Sequence, residues 1–352
     1  MRHKFIILSG LFIILLAAFF YFFLIWRVSS TLVEQTLRKQ ELAAKAGSKS
    51  INIFVKNLGF QTSIFATRMS IISPNTQDTP QALKNLVEGM STTPMTGVIL
   101  TDSRGIVLYG YEKPGSFAGG MDISDREYFK WAKGASEGEI YVSAPINSRL
   151  GFSEGRYIVP LATPVIKEGK FNGVLVTAFF IDEITTQYLD ELKIRDNTRI
   201  YLIDKEGVII SSPTEALLGQ NYLDYIKNSN IDGSNEIYET LSSALASDTA
   251  GQIHISLPDE TKSGTLTRFL IGYAPVELDN SRWVLAIATP VSDALASLTP
   301  LYFRDLGIIG LVVLVMVTLA VYLDKMLGIL GNESKAAKTE KKVPPSRTGD
   351  KA

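Results

Sequence analysis

The 352 residues suffice for one large domain or two ordinary ones, and a net charge of −1 offers no electrostatic footprint for nucleic acid. The chain has no cysteine, which removes disulfides, thiolate nucleophiles and cysteine–zinc sites, and its two histidines, His3 and His254, are too few for a histidine-rich metal centre. The hydrophobic content of 46% is ordinary in amount, but much of it lies in two blocks near the ends.

Residues 1–4 are a short basic start, with Arg2 and Lys4, before an uncharged apolar run over 5–26. At 1.5 Å per residue this run extends roughly 30 Å, the thickness of a bilayer core. A cleaved signal peptide is the alternative, but its apolar core runs only about 7–15 residues, and Val28-Ser29-Ser30 is a weak cleavage site. The expectation is an uncleaved membrane helix.

Residues 28–72 carry a helical pattern. Steps of four and three from Val33 pass through Leu37, Gln40, Ala44, Gly47, Ile51, Phe54, Leu58, Gln61, Phe65, Arg68 and Ile72, a mostly apolar heptad-like stripe. One helix of about 60 Å fits, as do two shorter helices broken near Gly47. Ser73-Pro74-Asn75 ends the pattern. Thr79-Pro80 opens a short helix, with threonine as cap and proline at its first position.

Strands follow, and their grammar repeats. Gly97-Val-Ile-Leu-Thr-Asp102-Ser-Arg-Gly105-Ile-Val-Leu-Tyr109 reads as strand, tight turn, strand, and Arg199-Ile-Tyr-Leu-Ile-Asp204-Lys-Glu-Gly207-Val-Ile-Ile-Ser211 reads the same way. A second hairpin begins at Tyr157 and ends in the apolar strand from Gly173; its later counterpart begins at Phe269 and ends in the strand from Trp283. The ordered correspondence, not the common Asp-x-x-Gly turn, implies two tandem α+β modules on antiparallel sheets, 79–190 and 191–298. His254 lies in an alternating strand, Gln-Ile-His-Ile-Ser, and reads as structural.

A second membrane helix is expected over 304–323, flanked by Tyr302 and Tyr322 at interfacial positions. The lysine-rich segment 324–352 is expected to be a short disordered tail with no room for a kinase, cyclase or signalling bundle. Positive charge at both ends places both termini in the cytoplasm and residues 28–303 outside a bacterial cell membrane, by the positive-inside rule.

The arrangement resembles the double Cache sensor domains of bacterial chemoreceptors and sensor kinases, over roughly residues 5–325. The sharpest local match is Asp122-Ile-Ser-Asp125-Arg126-Glu-Tyr128-Phe129-Lys-Trp131-Ala132, followed by Tyr141-Val-Ser143-Ala-Pro145. The resemblance implies a long helix carrying two PAS-like modules, flanked by two transmembrane helices. In amino-acid-binding members an arginine holds the ligand carboxylate and an aspartate after the last strand faces the amine. Carried over, Arg126 takes the carboxylate, Tyr128 and Phe129 the aromatic positions, Asp182 the amine, with Tyr141, Ser143 and Met121 beside them. A guanidinium fork matches a carboxylate, and one aspartate can neutralise an ammonium.

Met121 stands where those members have tyrosine, Tyr128 replaces tryptophan, and Phe129 lacks a hydroxyl. The implied ligand is therefore a small carboxylate- or amine-bearing metabolite. Other readings of the same residues stay open: Asp125 and Arg126 as a solvated helix start, Tyr128, Phe129 and Trp131 as core packing, and Asp182 as a helix cap.

The implied function is ligand sensing, with no cofactor and no metal, by a homodimer that signals to a separate membrane or cytoplasmic partner. The alternative is a structural or assembly factor of the envelope, such as a polysaccharide chain-length regulator. No nucleophile elbow, phosphate loop or metal-spaced cluster points to an enzyme.

Overall fold

A single helix, α1 (Arg2–Ala66), spans 65 residues without a break. The computed structural model describes residues 2–340 apart from Ala118, Ile194, 229–232, 259–264 and Asp279; for some residues in helices, Asp182 among them, it describes the backbone alone. The chain divides into two units, Met1–Leu32 with Leu295–Ala352, and Val33–Ala294.

The first unit holds the start of α1 and the last helix, α9 (Thr299–Glu340). Both helices are long and apolar enough to cross a membrane. Phe12, Phe19, Phe22 and Trp26 on one, and Phe303, Leu311 and Leu314 on the other, are exposed, as lipid-facing side chains are. Tyr302 ties them together: its carbonyl accepts from the Tyr21 hydroxyl at 3.2 Å, and its own hydroxyl lies 2.9 Å from Ser29 Oγ. The helix continues past the expected end at 323 to Glu340, so the segment read as disordered is helical over that part; 341–352 lie outside the described residues.

The second unit is built on the rest of α1. After the short α2 (Met69–Ile72) and α3 (Asp78–Gly89) come strands β1 (Met95–Thr101), β2 (Val107–Glu112) and β3 (Gly115–Phe117). Helix α4 (Glu127–Ala132), strands β4 (Tyr141–Val142) and β5 (Ile146–Asn147), and the long hairpin β6 (Tyr157–Lys167) and β7 (Lys170–Phe180) complete the first module. Helix α5 (Ile181–Ile184) leads to β8 (Arg199–Asp204), β9 (Ile209–Ser211), α6 (Tyr222–Lys227) and α7 (Ser234–Ala246). Strands β10 (Gly251–Pro258), β11 (Leu266–Glu277) and β12 (Arg282–Pro290) then run into α8 (Val291–Leu295).

Both sheets are antiparallel, one of seven strands in the order β3-β2-β1-β7-β6-β4 with β5 also on β6, the other of five in the order β10-β11-β12-β8-β9. The repeat is visible in that order: in each sheet the first hairpin meets the second through its opening strand, β1 on β7 and β8 on β12. The turns repeat at atomic detail. Asp102 Oδ1 accepts from the amides of Arg104 and Ile106 at 2.9 Å each, and Asp204 Oδ1 from those of Glu206 and Val208 at 3.0 and 2.7 Å. Gly105 and Gly207 close the turns at φ 98° and 92°, a region that L side chains avoid.

The apolar stripe of α1 is spent on these sheets. Ala44, Ile51, Phe54, Leu58 and Phe65 are buried in the main core with Val98, Leu100, Leu175 and Phe179 of the seven-stranded sheet and Leu202, Trp283 and Leu285 of the five-stranded one. Each large side chain so buried is worth about 1.5–3 kcal/mol. The stripe therefore faces the chain's own sheets, and an expectation of dimerisation cannot rest on it. Gly47 does not break the helix: a Cβ there would lie 2.5 Å from Leu192 Cδ1 and 2.6 Å from Leu285 Cδ2, so its bareness lets the helix seat on the sheet. The polar members of the stripe have separate fates. Gln40, fully buried, donates to Thr289 Oγ1 at 2.6 Å, whereas Gln61 faces outward and the adjacent Thr62 takes the inward place, 2.8 Å from Thr177 Oγ1.

Candidate functional site

Alternation on the strands of the seven-stranded sheet sends one set of side chains toward α1 and the other toward α4. Val98, Leu175 and Phe179 join the main core, while Ile99, Val174 and Val176 join a second cluster with Tyr128 and Phe129. On the α4 side the sheet floor is not filled. A cavity of about 280 Å³ lies there, between the strands, the segment leading into α4 and the loop after β5.

The leading segment is stitched to the first hairpin by backbone bonds, Val107 N to Met121 O at 2.8 Å and Ile123 N to Gly105 O at 2.9 Å. A side chain on Gly105 would meet Ser124 Cα at 2.9 Å, so the glycine serves both turn and approach. Asp122 accepts from the Ser124 amide at 2.8 Å, an Asx turn that aims the chain at the cavity. Arg126, extended at φ −71° and ψ 140°, precedes the first turn of α4, and its Nη2 reaches Asn147 O at 3.4 Å. Tyr128 is 3% exposed and lines the cavity. Burial, opposed by the Arg126 and Arg149 charges and reinforced by that of Asp125, pushes its phenol up to about 12, so it is a neutral donor at physiological pH. Among the described residues its hydroxyl has no hydrogen-bond partner.

The sequence-derived residues separate here. Arg126, Tyr128 and Met121 line the cavity. Phe129 does not; it is fully buried, edge-on to Phe171 at 5.8 Å between ring centres. Tyr141 lies against Trp131 at 5.2 Å, and Ser143 Oγ donates to Ala144 O at 2.9 Å; neither lines the cavity. Asp182 falls in α5, and its side chain lies outside the described residues.

Sequence reasoning missed the opposite wall. Arg149 lines the cavity and pairs with Asp125 at 2.6 Å; hydrogen bonding to that guanidinium, against a smaller opposing effect of burial, lowers the Asp125 carboxyl from its ordinary value. Both groups are more than half exposed, so water screens the pair and it adds little to stability. Glu112, at the end of β2, is 7% exposed and accepts from Ser153 Oγ at 2.6 Å, from Ser153 N at 3.0 Å, and from Phe152 N. Charge-assisted bonds of this kind contribute about 1.5–3 kcal/mol each. The available signal was the phase of Gly110 and Glu112, which alternate with Tyr109 and Tyr111 on β2.

The five-stranded sheet has a smaller cavity, about 60 Å³, against α6 and α7. Its walls are apolar, among them Leu241, Leu257 and Ile271, and the Arg199 guanidinium lies 5.2 Å from the centre of the Phe269 ring. A second cavity on this sheet, of about 270 Å³ beside α7, is polar, with Glu236, His254 and Arg268 on its wall.

Two repeated sheet modules on one helix, with a charged cavity in the first, define a ligand-binding sensor domain. The chain belongs to the Cache domain family, whose model matches residues 28–298. This is a sensory, ligand-binding family and not a catalytic one. Comparison with curated proteins gives no match. Among solved structures, the chain is similar to the ligand-binding domain of the Pseudomonas fluorescens chemoreceptor CtaA in complex with L-isoleucine, with a TM-score of 0.53, 16% identity, and coverage of 76% of this chain and 98% of that one. It is similar to the ligand-binding domain of the Pseudomonas aeruginosa PAO1 amino acid chemoreceptor PctC in complex with GABA, with a TM-score of 0.50, 16% identity, and coverage of 72% and 99%. It also matches an extracellular ligand binding receptor from Desulfohalobium retbaense, with a TM-score of 0.52, 13% identity and 71% of this chain covered, but spans only 40% of that receptor's length. These likenesses are of fold.

Proposed function

We propose that the chain is a membrane-anchored extracytoplasmic sensor that binds a small carboxylate- or amine-bearing metabolite in the cavity of the 79–190 module. The observation that carries this reading is the cavity of about 280 Å³, with the Arg126 guanidinium and the Tyr128 phenol on its wall. A guanidinium and a neutral phenol together suit a carboxylate, one supplying charge and a planar fork, the other a directed donor. The amino-acid and GABA complexes of the two chemoreceptor domains support the same ligand class.

The apolar helices and the basic residues beyond them support a two-pass topology with both termini in the cytoplasm and the 191–298 module nearer the membrane. The signal passes to a separate membrane or cytoplasmic partner. A homodimer is supported by a second row on α1, facing away from the sheets: Leu42, Ile53, Phe60 and Ile64 are 57%, 49%, 58% and 44% exposed. Their separations of eleven, seven and four are sums of heptad steps.

The test is thermal unfolding of the detergent-solubilised full chain against a panel of small carboxylates and amines. A subset raises the midpoint, and Arg126→Ala removes the gain for carboxylates. A panel without any stabilising compound, together with no small molecule released from the purified protein, overturns the reading.

A further inference from the structure

Among the described residues the Glu112 carboxyl has no ion-pair partner. It is buried at the cavity wall, and its partners are one hydroxyl and two backbone amides. No lysine or arginine among the described residues lies within ion-pair distance of it. Burying an anion is costly unless it is hydrogen-bonded, and most favourable when it also meets a cation. Here the hydrogen bonds are supplied by the protein and the cation is not.

The backbone around the carboxylate is built to admit it. A Cβ on Gly97 would lie 2.4 Å from Glu112 Cγ, and one on Gly151 would lie 2.7 Å from Glu112 Oε2. Gly151 also holds a positive φ of 58°, which an ordinary residue adopts only with strain. Two bare positions thus flank the side chain, one on the floor strand and one on the loop. Ser153 is itself held by Ser148 Oγ at 2.9 Å, so the donors are fixed before any ligand arrives.

We infer that Glu112 is the cation-recognising residue of the cavity, and that the ligand presents an ammonium or other nitrogen cation to it. This rests on the sensor reading above and deepens it. With Arg126 on the α4 segment, the cavity then offers an anion and a cation to one small molecule, and selects amine-bearing compounds over their deaminated counterparts. Two lone pairs on each carboxylate oxygen leave room for an ammonium beside the three protein donors.

The experiment uses the full chain in detergent and two probes, ethylammonium chloride and sodium propionate, each titrated by thermal shift against sodium chloride at equal ionic strength. Ethylammonium stabilises the wild type, and Glu112→Gln weakens its apparent affinity at least tenfold while propionate binding stays within threefold. Two outcomes overturn the inference: no response to ethylammonium, or an unchanged response in Glu112→Gln. A propionate response without an ethylammonium response leaves the sensor reading standing while this one falls. Silence to both probes removes this inference and counts against the sensor reading as well.

Discussion

The Asn280 side chain clasps the backbone of Val142 from both sides: its Oδ1 accepts from Val142 N at 2.7 Å and its Nδ2 donates to Val142 O at 3.0 Å. The amide mimics a neighbouring strand for β4, the edge of the seven-stranded sheet. Asn280 sits between β11 and β12 of the other sheet, so one residue joins the modules. Removing it frees two backbone groups at a cost of about 1–2 kcal/mol. Asn280→Ala is expected to speed amide exchange at Val142 and to leave ligand affinity unchanged. A ligand-induced change in exchange along β12 should disappear in this variant; its persistence would show that the clasp carries no signal.

Tyr128 offers its hydroxyl to the cavity without a protein partner among the described residues. Tyr128→Phe should therefore leave unfolding in the absence of ligand unchanged. Carboxylate affinity should fall about tenfold, equivalent to about 1.4 kcal/mol. Titration calorimetry reads the affinity, and unfolding without ligand distinguishes this from a packing role, which would lower stability.

The repeated turns make opposite pH predictions. Burial pushes the Asp102 carboxyl up, but the amides of Ile106 and Arg104 and the Arg104 guanidinium outweigh it, and the net shift is down. Its stabilisation is present above the ordinary value of 3.8 and fades as pH falls through the lowered folded value. In Asp204 burial outweighs the amides of Val208, Glu206 and Gly207, and the nearby Glu206 charge adds to it, so the shift is up. Its ionised form is penalised above that raised value, and the penalty is relieved as pH falls toward 3.8. Asp102→Asn should cost about 1–2 kcal/mol near neutral pH, whereas Asp204→Asn should be neutral or stabilising there. Unfolding midpoints of both variants from pH 7 down to about 2.5 check the signs.

A Cβ on Gly272 would lie 2.2 Å from Glu41 N, a backbone atom of α1. Neither the strand nor the helix can yield a side-chain tip, so Gly272→Ala should cost about 3 kcal/mol. Gly89, with open space around it, is the control, and its alanine variant should unfold close to the parent in denaturant.

If the outward row on α1 is the dimer seam, Phe60→Glu should convert the solubilised dimer to a monomer without unfolding it. Sedimentation velocity reads the first outcome and circular dichroism the second. A wild-type monomer would remove the seam.

Much of the fold was legible because its signals are local. The Asp102 and Asp204 turns are set by residues within four positions of each aspartate, so the repeat could be read from these turns together with the ordered hairpins around them. Gly47 was ambiguous because its reason, the closeness of Leu192 and Leu285, lies far along the chain. The site was half legible for the same cause. Arg126 and Tyr128 stand within one segment, whereas the donors to Glu112 come from about forty residues later. Adjacent aromatic residues also look alike in sequence: on α4 Tyr128 turns to the cavity and Phe129 to Phe171, a distinction that packing makes and composition does not.

The polar contacts of α1 with the last strand of each hairpin, Thr62 on Thr177 and Gln40 on Thr289, sit twenty-two residues apart, or about 33 Å along the axis. That spacing makes the helix a lever between two points of contact. A tilt of about three degrees about Thr62 moves Gln40 by about 2 Å, the scale of the helix shifts of about 1–2 Å that occur in allosteric transitions. A change in the cavity too small to see at the ligand would therefore arrive, enlarged, at the strand that runs into α8.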